Sequence, residues 1–294
     1  MPSLNVGPYI EECISSVVGQ TLKDIEIICV DAGSTDGTIE ILEKYASSDS
    51  RIQIIHSDIK SYGHQMNLGL DAAKGEYIGI VETDDYILPQ MYETLYTVAK
   101  DNNLDVLKSD FQKFVEENSS RQYSYMNIAY KPELYGRVID PKDDIRVFLS
   151  NYQNQPGVYL RSFIMDNGIK HHETPGAAFQ DLGFKIQALS KAKRYMFYKG
   201  AFYMLRRDNP NSSVKNKGNI YAAANEWDWV RDKLRGAEHE ELFSKAYAQC
   251  RFKSYLFTMM RIADEFKREF LVRFSEDFKK LQDAGELDQS LFLG

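Results

Sequence analysis

The sequence has few cysteines and no long apolar run. Its three cysteines, Cys13, Cys29 and Cys250, lie far apart in 294 residues, which excludes a disulfide framework and a zinc site built on paired cysteines. No run approaches the roughly 18 apolar residues of a transmembrane helix. Residues Met1 to Asn5 show neither the basic start nor the apolar core of a signal peptide. We therefore expect a protein of a reducing compartment, the cytoplasm.

An excess of positive charge is also missing. The chain has 36 basic and 43 acidic residues and a formal net charge of -7, which argues against a nucleic-acid partner. The stretch from Lys191 to Lys217 is the exception, because Asp208 is its only acid. This stretch has three interpretations that the sequence leaves open: contact with phosphates, contact with an anionic membrane surface, or a solvated face.

The first hundred residues alternate between strand and helix patterns. Strands are predicted near 25–30, 52–55, 77–81 and 105–108, and helices near 8–18, 36–45, 66–73 and 89–100. This alternation predicts βαβ units around a mainly parallel sheet, in which ligands bind outside the carboxyl ends of the strands. Hydrophobic residues make up 43% of the chain, which is enough for a sizeable core.

The pattern is weaker beyond about residue 115. Residues 116–137 are polar and aromatic without a clear period, helices are predicted near 141–150 and 178–189, and a strand near 195–205. From residue 219 onward apolar residues recur at helical spacing, which predicts a helical C-terminal region.

Three carboxylates follow the apolar segment Tyr77 to Val81. Glu82, Asp84 and Asp85 lie within four residues at the end of a predicted strand, where like charges repel. A divalent cation such as Mg²⁺ or Mn²⁺ would relieve this repulsion, and such cations usually share their oxygen ligands with substrate phosphates. The alternative is a solvated acidic turn before the helix at Pro89.

A second acidic loop, Asp31 to Gly37, follows the strand near 25–30. Its glycines permit tight backbone geometry, and free N–H groups at the next helix suit an anion or a base edge. The loop has neither a Walker sequence nor a G-x-G-x-x-G pattern. Asp31 is placed to accept hydrogen bonds from a nucleotide base or ribose; the alternative is an ordinary turn with Asp36 as helix cap.

An ordered set of short segments resembles the family 2 glycosyltransferases with the GT-A fold. In chain order the segments are Pro8-Tyr9-Ile10, Gln20-Thr21, Glu26 to Asp31, Gly33 to Thr38, Asn67-Leu68-Gly69, Ala73 to Ile78 and Asp84-Asp85. Each segment alone has little specificity, but the ordered set from about residue 2 to 110 is highly specific. The rest of the chain matches by scattered motifs.

The resemblance implies a nucleotide-sugar donor, most simply a UDP-sugar. The donor-binding positions that it implies are Asp31, Gly33, Ser34, Asn67, Asp84 and Arg206. The family usually has a second aspartate where this chain has Ala32, so that contact is missing or replaced. The family's Asp-x-Asp-Asp metal motif falls on Glu82 to Asp85, which makes Asp84 the main ligand for Mn²⁺ or Mg²⁺, with Glu82 and Asp85 as further candidates.

The resemblance also implies residues on the acceptor side. The family places a general base at the start of a helix, often as Glu-Asp, and Gln180-Asp181 matches this with Gln180 as a departure. Asp181 is therefore the candidate base; the alternative is a carboxylate that interacts with the helix dipole. Arg206 corresponds to the family's basic residue near the leaving phosphate.

The implied fold is α/β, with a GT-A domain over 1–215 and a helical region over 216–294. Within the first domain, residues 1–110 form the nucleotide-sugar half and 111–215 the acceptor half. The family's first strand would precede Pro2, so we expect that strand to be missing from this sheet.

The expected function is inverting, metal-dependent transfer of a sugar to a saccharide or lipid-linked saccharide in capsule, exopolysaccharide or O-antigen synthesis. Two alternatives stay open at this point: a sugar-phosphate nucleotidyltransferase, and a non-catalytic nucleotide-sugar-binding assembly partner. Location at the inner face of the membrane, contact with the membrane surface, and oligomerisation through the C-terminal helices are further expectations.

Overall fold

A computed structural model describes residues 1–236 and 240–287 of the chain. Its N-terminal part is a parallel sheet in the order β1, β2, β3. The strands are β1 Pro2–Ser3, β2 Ile27–Asp31 and β3 Ile52–His56, connected by helices α1 Gly7–Val18 and α2 Thr38–Ser48 and followed by α3 Tyr62–Ala72. Ile10, Cys13 and Leu42 are fully buried, so the apolar faces of α1 and α2 form part of the core.

A second sheet has six strands in the described residues. Its order is β4 Tyr77–Gly79, β8 Gly157–Leu160, β6 Val106–Glu117, β9 Tyr195–Arg206 and β5 Tyr86–Ile87, and β7 Ser120–Met126 pairs with β6. Helices α4 Met91–Asp101, α5 Arg161–Asp166 and α6 Gln180–Lys191 connect these strands. The carboxyl end of β2 and the chain after β4 lead into the two acidic loops.

The predicted parallel order needs correction for the second sheet. The N-terminal sheet is parallel, but in the second sheet only the described pair β6–β9 is parallel, and β4–β8, β5–β9, β6–β7 and β6–β8 are antiparallel. The sequence does not reveal this, because buried strands of either direction have the same apolar pattern.

Two segments in the middle of the chain also differ from the prediction. The region 116–137 contains the end of β6 and the whole of β7, joined by Asn118 and Ser119 with φ of 50° and 61°. These positive angles at both central residues produce a tight hairpin. The helix predicted near 141–150 is a single 3₁₀ turn, Ile145–Val147, at which the Asp144 side chain accepts from the Arg146 N–H. Such side-chain bonds to the local backbone compete with helix propagation.

The first strand was predicted to be absent, but it is present as two residues. Pro2–Ser3 pairs in parallel with Val30–Asp31, and the Met1 amine donates to the Ile28 carbonyl at 2.9 Å. The Thr83 hydroxyl donates to the Pro2 carbonyl at 2.7 Å. This short strand therefore connects the two acidic loops.

A cavity of about 560 Å³ lies between the N-terminal parts of β2 and β4. It is next to Met1, where a longer β1 strand would extend. Its lining is largely apolar and includes Val17, Met66, Leu70 and Ile80, together with Met1. Burial lowers the pKa of the Met1 amine. Unfilled apolar space and an enclosed amine both cost stability.

Filling this cavity should stabilise the fold. We expect an extension of about five β-branched residues ahead of Met1, the length of an average strand, to pair with β2 and bury its side chains. The thermal midpoint should rise by about 5 °C. A Gly-Ser extension of equal length is the control, and equal midpoints for the two extensions would contradict the expectation.

The C-terminal region is helical in its described part, as predicted. It consists of α7 Ala222–Leu234, α8 Glu240–Arg261 and α9 Asp264–Asp283, and residues 237–239 and 288–294 of the predicted region lie outside the described residues. Arg251 is buried and pairs with Asp277, while the Tyr255 hydroxyl donates to the same carboxylate at 2.6 Å. Helix α7 packs against α6. None of the described helices has the length and apolarity needed to cross a bilayer.

Candidate active site at the strand ends

The loop after β2 is organised by Asp31, which is 2% exposed. One carboxylate oxygen accepts from the N–H groups of Gly33 and Ser34 at 2.9 and 2.8 Å, and the other accepts from the hydroxyls of Ser3 and Ser34 at 2.8 and 2.6 Å. Gly33 has φ of 79°, which other residues rarely adopt. Asp31 therefore shapes the predicted nucleoside loop, with both of its oxygens already engaged.

Glu82 begins the second acidic loop. The same carboxylate oxygen accepts from the Tyr62 hydroxyl at 2.7 Å and the Gln155 amide at 2.8 Å. Burial raises the pKa of Glu82 to about 7, the two hydrogen bonds oppose this, and the charges of Asp84 and Asp181 add to it. The interaction with Asp181 indicates that the predicted metal loop and the predicted base share one electrostatic environment.

Asp84 and Asp85 have different surroundings. Asp85 is 4% exposed, and its two oxygens accept from the Tyr203 hydroxyl and the Arg206 N–H, both at 2.6 Å. Burial, followed by the charge of Asp84, raises its pKa well above the ordinary value. Asp84 is half-buried and accepts from the Asn209 amide at 2.8 Å. Among the described residues, none donates a hydrogen bond to the second Asp84 oxygen.

Arg206, the residue predicted to contact the leaving phosphate, is buried and bonded within the protein. Its guanidinium donates to the Asp84 carbonyl at 3.0 Å and to Glu12 at 2.9 Å. The ring centroids of Tyr9 and Phe114 lie 4.8 and 4.6 Å from it. The structure therefore shows Arg206 holding the acidic loop in place through bonds within the protein.

Asp181 lies in the first turn of α6, as predicted. Its carboxylate accepts from the Leu182 N–H at 2.9 Å, and the Asn154 amide donates to its backbone carbonyl at 3.0 Å. Burial raises its pKa to about 6, against the hydrogen bonds from the backbone N–H groups of Leu182 and of Asp181 itself and against the charge of Lys185. Phe179 immediately precedes the helix with φ of 64°, an uncommon conformation for an aromatic residue and one that is often found at functional sites.

Asn67, predicted to contact the donor, links α3 to the loop before α6. Its amide donates to the His171 carbonyl at 2.9 Å and to Glu173 at 2.8 Å, and its oxygen accepts from the His171 N–H at 2.8 Å. Glu173 also contacts His64 at 2.9 Å. Asn67 thus positions the loop before α6.

Sequence reasoning missed Tyr62 and Gln155, the two residues that hold Glu82. The bond from the Tyr203 hydroxyl to Asp85 was not predicted either. Neither Tyr62 nor Gln155 lies in a recognisable motif, so no sequence signal identified them. Their role follows from tertiary contact over 20 and 73 positions in the chain.

The oxygen donors of this loop suit a hard divalent cation held by few protein ligands. In the described residues no group of three or more His, Cys, Asp or Glu side chains is placed to hold a metal. Mg²⁺ is commonly bound by one or two carboxylates together with substrate phosphates. One Asp84 oxygen accepts no hydrogen bond from the described residues, and the charge of Asp84 acts on Glu82. These two carboxylates match that smaller donor set.

The family model for "Glycosyl transferase family 2" matches residues 1–208. The chain belongs to this family. The match covers the strands and loops that carry Asp31, Asp84, Asp181 and Arg206, and it ends before α7. Family membership favours the transferase over the nucleotidyltransferase and the non-catalytic partner.

Two curated relatives are named as glycosyltransferases. The chain is 33% identical over 221 residues to "Uncharacterized glycosyltransferase EpsJ" of Bacillus subtilis, a match that covers 72% of this chain and 61% of EpsJ. It is 28% identical over 271 residues to "Glycosyltransferase GlyG" of Streptococcus pneumoniae, covering 89% of this chain and 83% of GlyG.

Solved structures share the fold. TarS of S. aureus, residues 1–349 in complex with UDP-GlcNAc, matches 92% of this chain and 76% of that chain with a TM-score of 0.69 at 20% identity. A mannosyltransferase from Pyrobaculum calidifontis, solved with GDP-Man and Mn²⁺, matches 88% of this chain and 72% of that chain with a TM-score of 0.54 at 14% identity. The predicted α/β GT-A fold is confirmed.

Proposed function

We propose that this glycosyltransferase moves a sugar from a nucleoside diphosphate sugar to a saccharide hydroxyl with inversion, assisted by Mn²⁺ or Mg²⁺. The observation that carries the proposal is the placement of Asp181, whose pKa of about 6 is close to neutral, in the electrostatic environment of Glu82. A base with such a pKa is ionised at neutral pH and still accepts a proton readily.

The donor side would use both acidic loops. The loop that Asp31 shapes, with Gly33 and Ser34, would hold the nucleoside, while Asp84 would hold the cation and diphosphate. The similarity to TarS, which was solved with UDP and with UDP-GlcNAc, supports a UDP-sugar. The similarity to a mannosyltransferase solved with GDP-Man and Mn²⁺ supports a cation and makes a GDP-sugar the second donor to test.

The reaction forms one bond and breaks one. The acceptor oxygen attacks the anomeric carbon, the bond from that carbon to the diphosphate oxygen breaks, and the hydroxyl proton moves to Asp181. Nucleoside diphosphate leaves with the electron pair. When bound, the cation supplies charge neutralisation for this leaving group.

The acceptor side would be the loop that Asn67 fixes, together with the start of α6. A saccharide or lipid-linked saccharide in capsule, exopolysaccharide or O-antigen synthesis is the acceptor class that we propose. Two relatives support a polymeric acceptor class by their names. One is named poly(ribitol-phosphate) beta-glucosyltransferase and the other chondroitin synthase, and they are matched over 33% and 19% of their lengths.

A donor panel tests the proposal. The full chain is incubated with individual UDP- and GDP-sugars and with a saccharide acceptor mixture, with Mn²⁺, with Mg²⁺ or with a chelator. We expect one donor to release nucleoside diphosphate in a cation-dependent manner and to yield a glycoside of inverted configuration. Release that persists in chelator would contradict the cation role, and a retained configuration would contradict the role of Asp181.

The rate should depend on pH through Asp181. The carboxyl must be ionised to accept a proton, so kcat/KM should fall about tenfold for each pH unit below about 6, where its pKa lies. Well above pH 6 Asp181 is already ionised, so its ionisation no longer changes kcat/KM. A profile of kcat/KM from pH 4.5 to 7 checks the prediction, and a thermal midpoint at each pH separates loss of the base from unfolding. A kcat/KM that stays flat from pH 7 down to pH 4.5 would contradict it.

A further inference from the structure

A second buried carboxyl lies beside the first turn of α6. Glu226 of α7 is 2% exposed, although it comes from the C-terminal region beyond the family match. One of its oxygens lies 2.9 Å from Nδ1 of His172, and the other is buried without a donor in good hydrogen-bond geometry. The Gly183 backbone N–H acts on this carboxyl and opposes the rise of its pKa. A buried carboxylate with few compensating donors is costly, so this arrangement requires an explanation.

The helix is built to admit this side chain. A Cβ on Gly183 would lie 2.0 Å from this second Glu226 oxygen and 2.8 Å from the Trp229 ring. Glycine inside a helix is unfavourable by roughly 0.5–1 kcal/mol relative to alanine. Its place here, two residues after Asp181, brings Glu226 onto the turn that carries the candidate base.

The surrounding charges favour a neutral Glu226. Burial, followed by the charge of Asp181, raises the pKa of Glu226 to about 8. His172 stacks on Trp229 with ring centroids 4.6 Å apart, and burial together with the charge of Lys233 lowers the pKa of His172. At neutral pH the Glu226 hydroxyl would thus donate to a neutral His172.

The other charged groups of α7 have partners of their own: Arg231 pairs with Glu286, and Asp232 pairs with Arg235. Lys185 of α6 interacts with Asp181 and lowers its pKa. Elsewhere on α7, Asp228 pairs with Arg251 at 3.0 Å and with Arg273 at 2.5 Å. Among the described residues, His172, Asp181 and Lys233 are therefore the groups that set the state of the Glu226–His172 pair.

We propose that Glu226 is a positioning residue that, as a neutral hydrogen-bond donor, holds His172 against α7 and adds no negative charge next to Asp181 from the α7 side. The inference rests on the proposed role of Asp181 as base. It makes α7 a part of the acceptor side of the site. A second anion there would oppose the negative charge that gathers on the acceptor oxygen as its proton leaves.

Replacing Glu226 by glutamine shows whether Glu226 acts as a neutral group or as an anion. Glu226→Gln keeps the shape and a donor to His172, so it should retain at least about half of the wild-type kcat/KM at pH 7. Glu226→Ala, which removes the donor and leaves a cavity, should lose about tenfold or more. Asp232→Asn, an exposed position on the same helix, is the matched control. Equal losses in Glu226→Gln and Glu226→Ala would overturn the proposal.

The dependence of kcat/KM on pH above 8 tests the charge of Glu226, because a change in packing alone does not alter it. Ionisation of Glu226 should lower wild-type kcat/KM above pH 8, and this limb should be missing in Glu226→Gln. A limb that persists in Glu226→Gln, or one that the wild type lacks, would overturn the proposal. A uniform loss at every pH in Glu226→Ala with no limb in the wild type would indicate packing alone.

A stability measurement needs no substrate and separates this inference from the proposed function. A carboxyl whose pKa is raised in the folded state binds more protons there, so its contribution to stability falls as pH rises from its unfolded value to about 8. The thermal midpoint of Glu226→Gln relative to wild type should therefore rise by about 5 °C between pH 5 and 8 and level off above. A constant difference would overturn the inference even if transfer is active. The expected rise without any transfer would refute the proposed function and not the protonation state.

Discussion

Asp181→Asn is expected to lower the rate of sugar transfer by about a thousandfold, within the range that a general base contributes. Asparagine keeps the size of the side chain and an oxygen that accepts from the Leu182 N–H, but it cannot take the acceptor proton. Donor binding should stay within about twofold of wild type, because the predicted donor contacts lie on the other loops. Turnover gives the first quantity, and titration calorimetry with the donor and Mn²⁺ gives the second.

The control for Asp181 distinguishes a base from a carboxylate that serves the helix dipole. Glu93 is exposed and lies in the first turn of α4, so Glu93→Gln removes a comparable dipole interaction far from the acidic loops. It should leave transfer unchanged. Because burial disfavours the ionised form of Asp181, Asp181→Asn should hold or raise the thermal midpoint at neutral pH. Full activity in Asp181→Asn would reject the base assignment.

Replacement of Asp84 is expected to lower activity with little change in stability, whereas replacement of Asp85 is expected to lower stability. Asp84→Asn should lower turnover about a hundredfold and weaken cation-dependent donor binding, while its thermal midpoint stays within about 2 °C of wild type. The reason is that Asp84 is half-buried with one oxygen open toward a cation. Initial rates across a Mn²⁺ titration, together with thermal midpoints, check this expectation.

Asp85→Ala should instead destabilise the protein by about 3 kcal/mol. The substitution leaves the Tyr203 hydroxyl and the Arg206 N–H buried without their acceptor, and each bond is 2.6 Å in the intact protein. Chemical denaturation measures the loss, and a cooperative transition with an unchanged slope shows that the fold persists. If Asp85→Ala were as stable as wild type and lost cation dependence, Asp85 would be a ligand and the division between the two residues would be wrong.

The sequence was most informative where neighbouring residues determine the structure. The alternation of apolar segments and caps predicted α1, α2, β2 and β3, because period and turn chemistry are local properties. The sequence was least informative for the second sheet, where strand direction depends on distant pairing and the residues of the β6–β7 hairpin show no clear period. The helix predicted near 141–150 failed for a local reason, since the Asp144 side chain accepts from the Arg146 N–H.

The sequence by itself determined the kind of protein: an ordered motif set, carboxylates after two strands, and an acid at the start of α6. It also named Asp31, Asp84, Asp181 and Arg206. Only the tertiary structure decided how the three carboxylates of the acidic loop differ in their surroundings. Asp85 meets Tyr203 and Arg206 across 118 and 121 positions, and Glu82 meets Gln155 across 73. Burial and hydrogen-bond partners fix a carboxyl's charge and role, and both are properties of the folded chain.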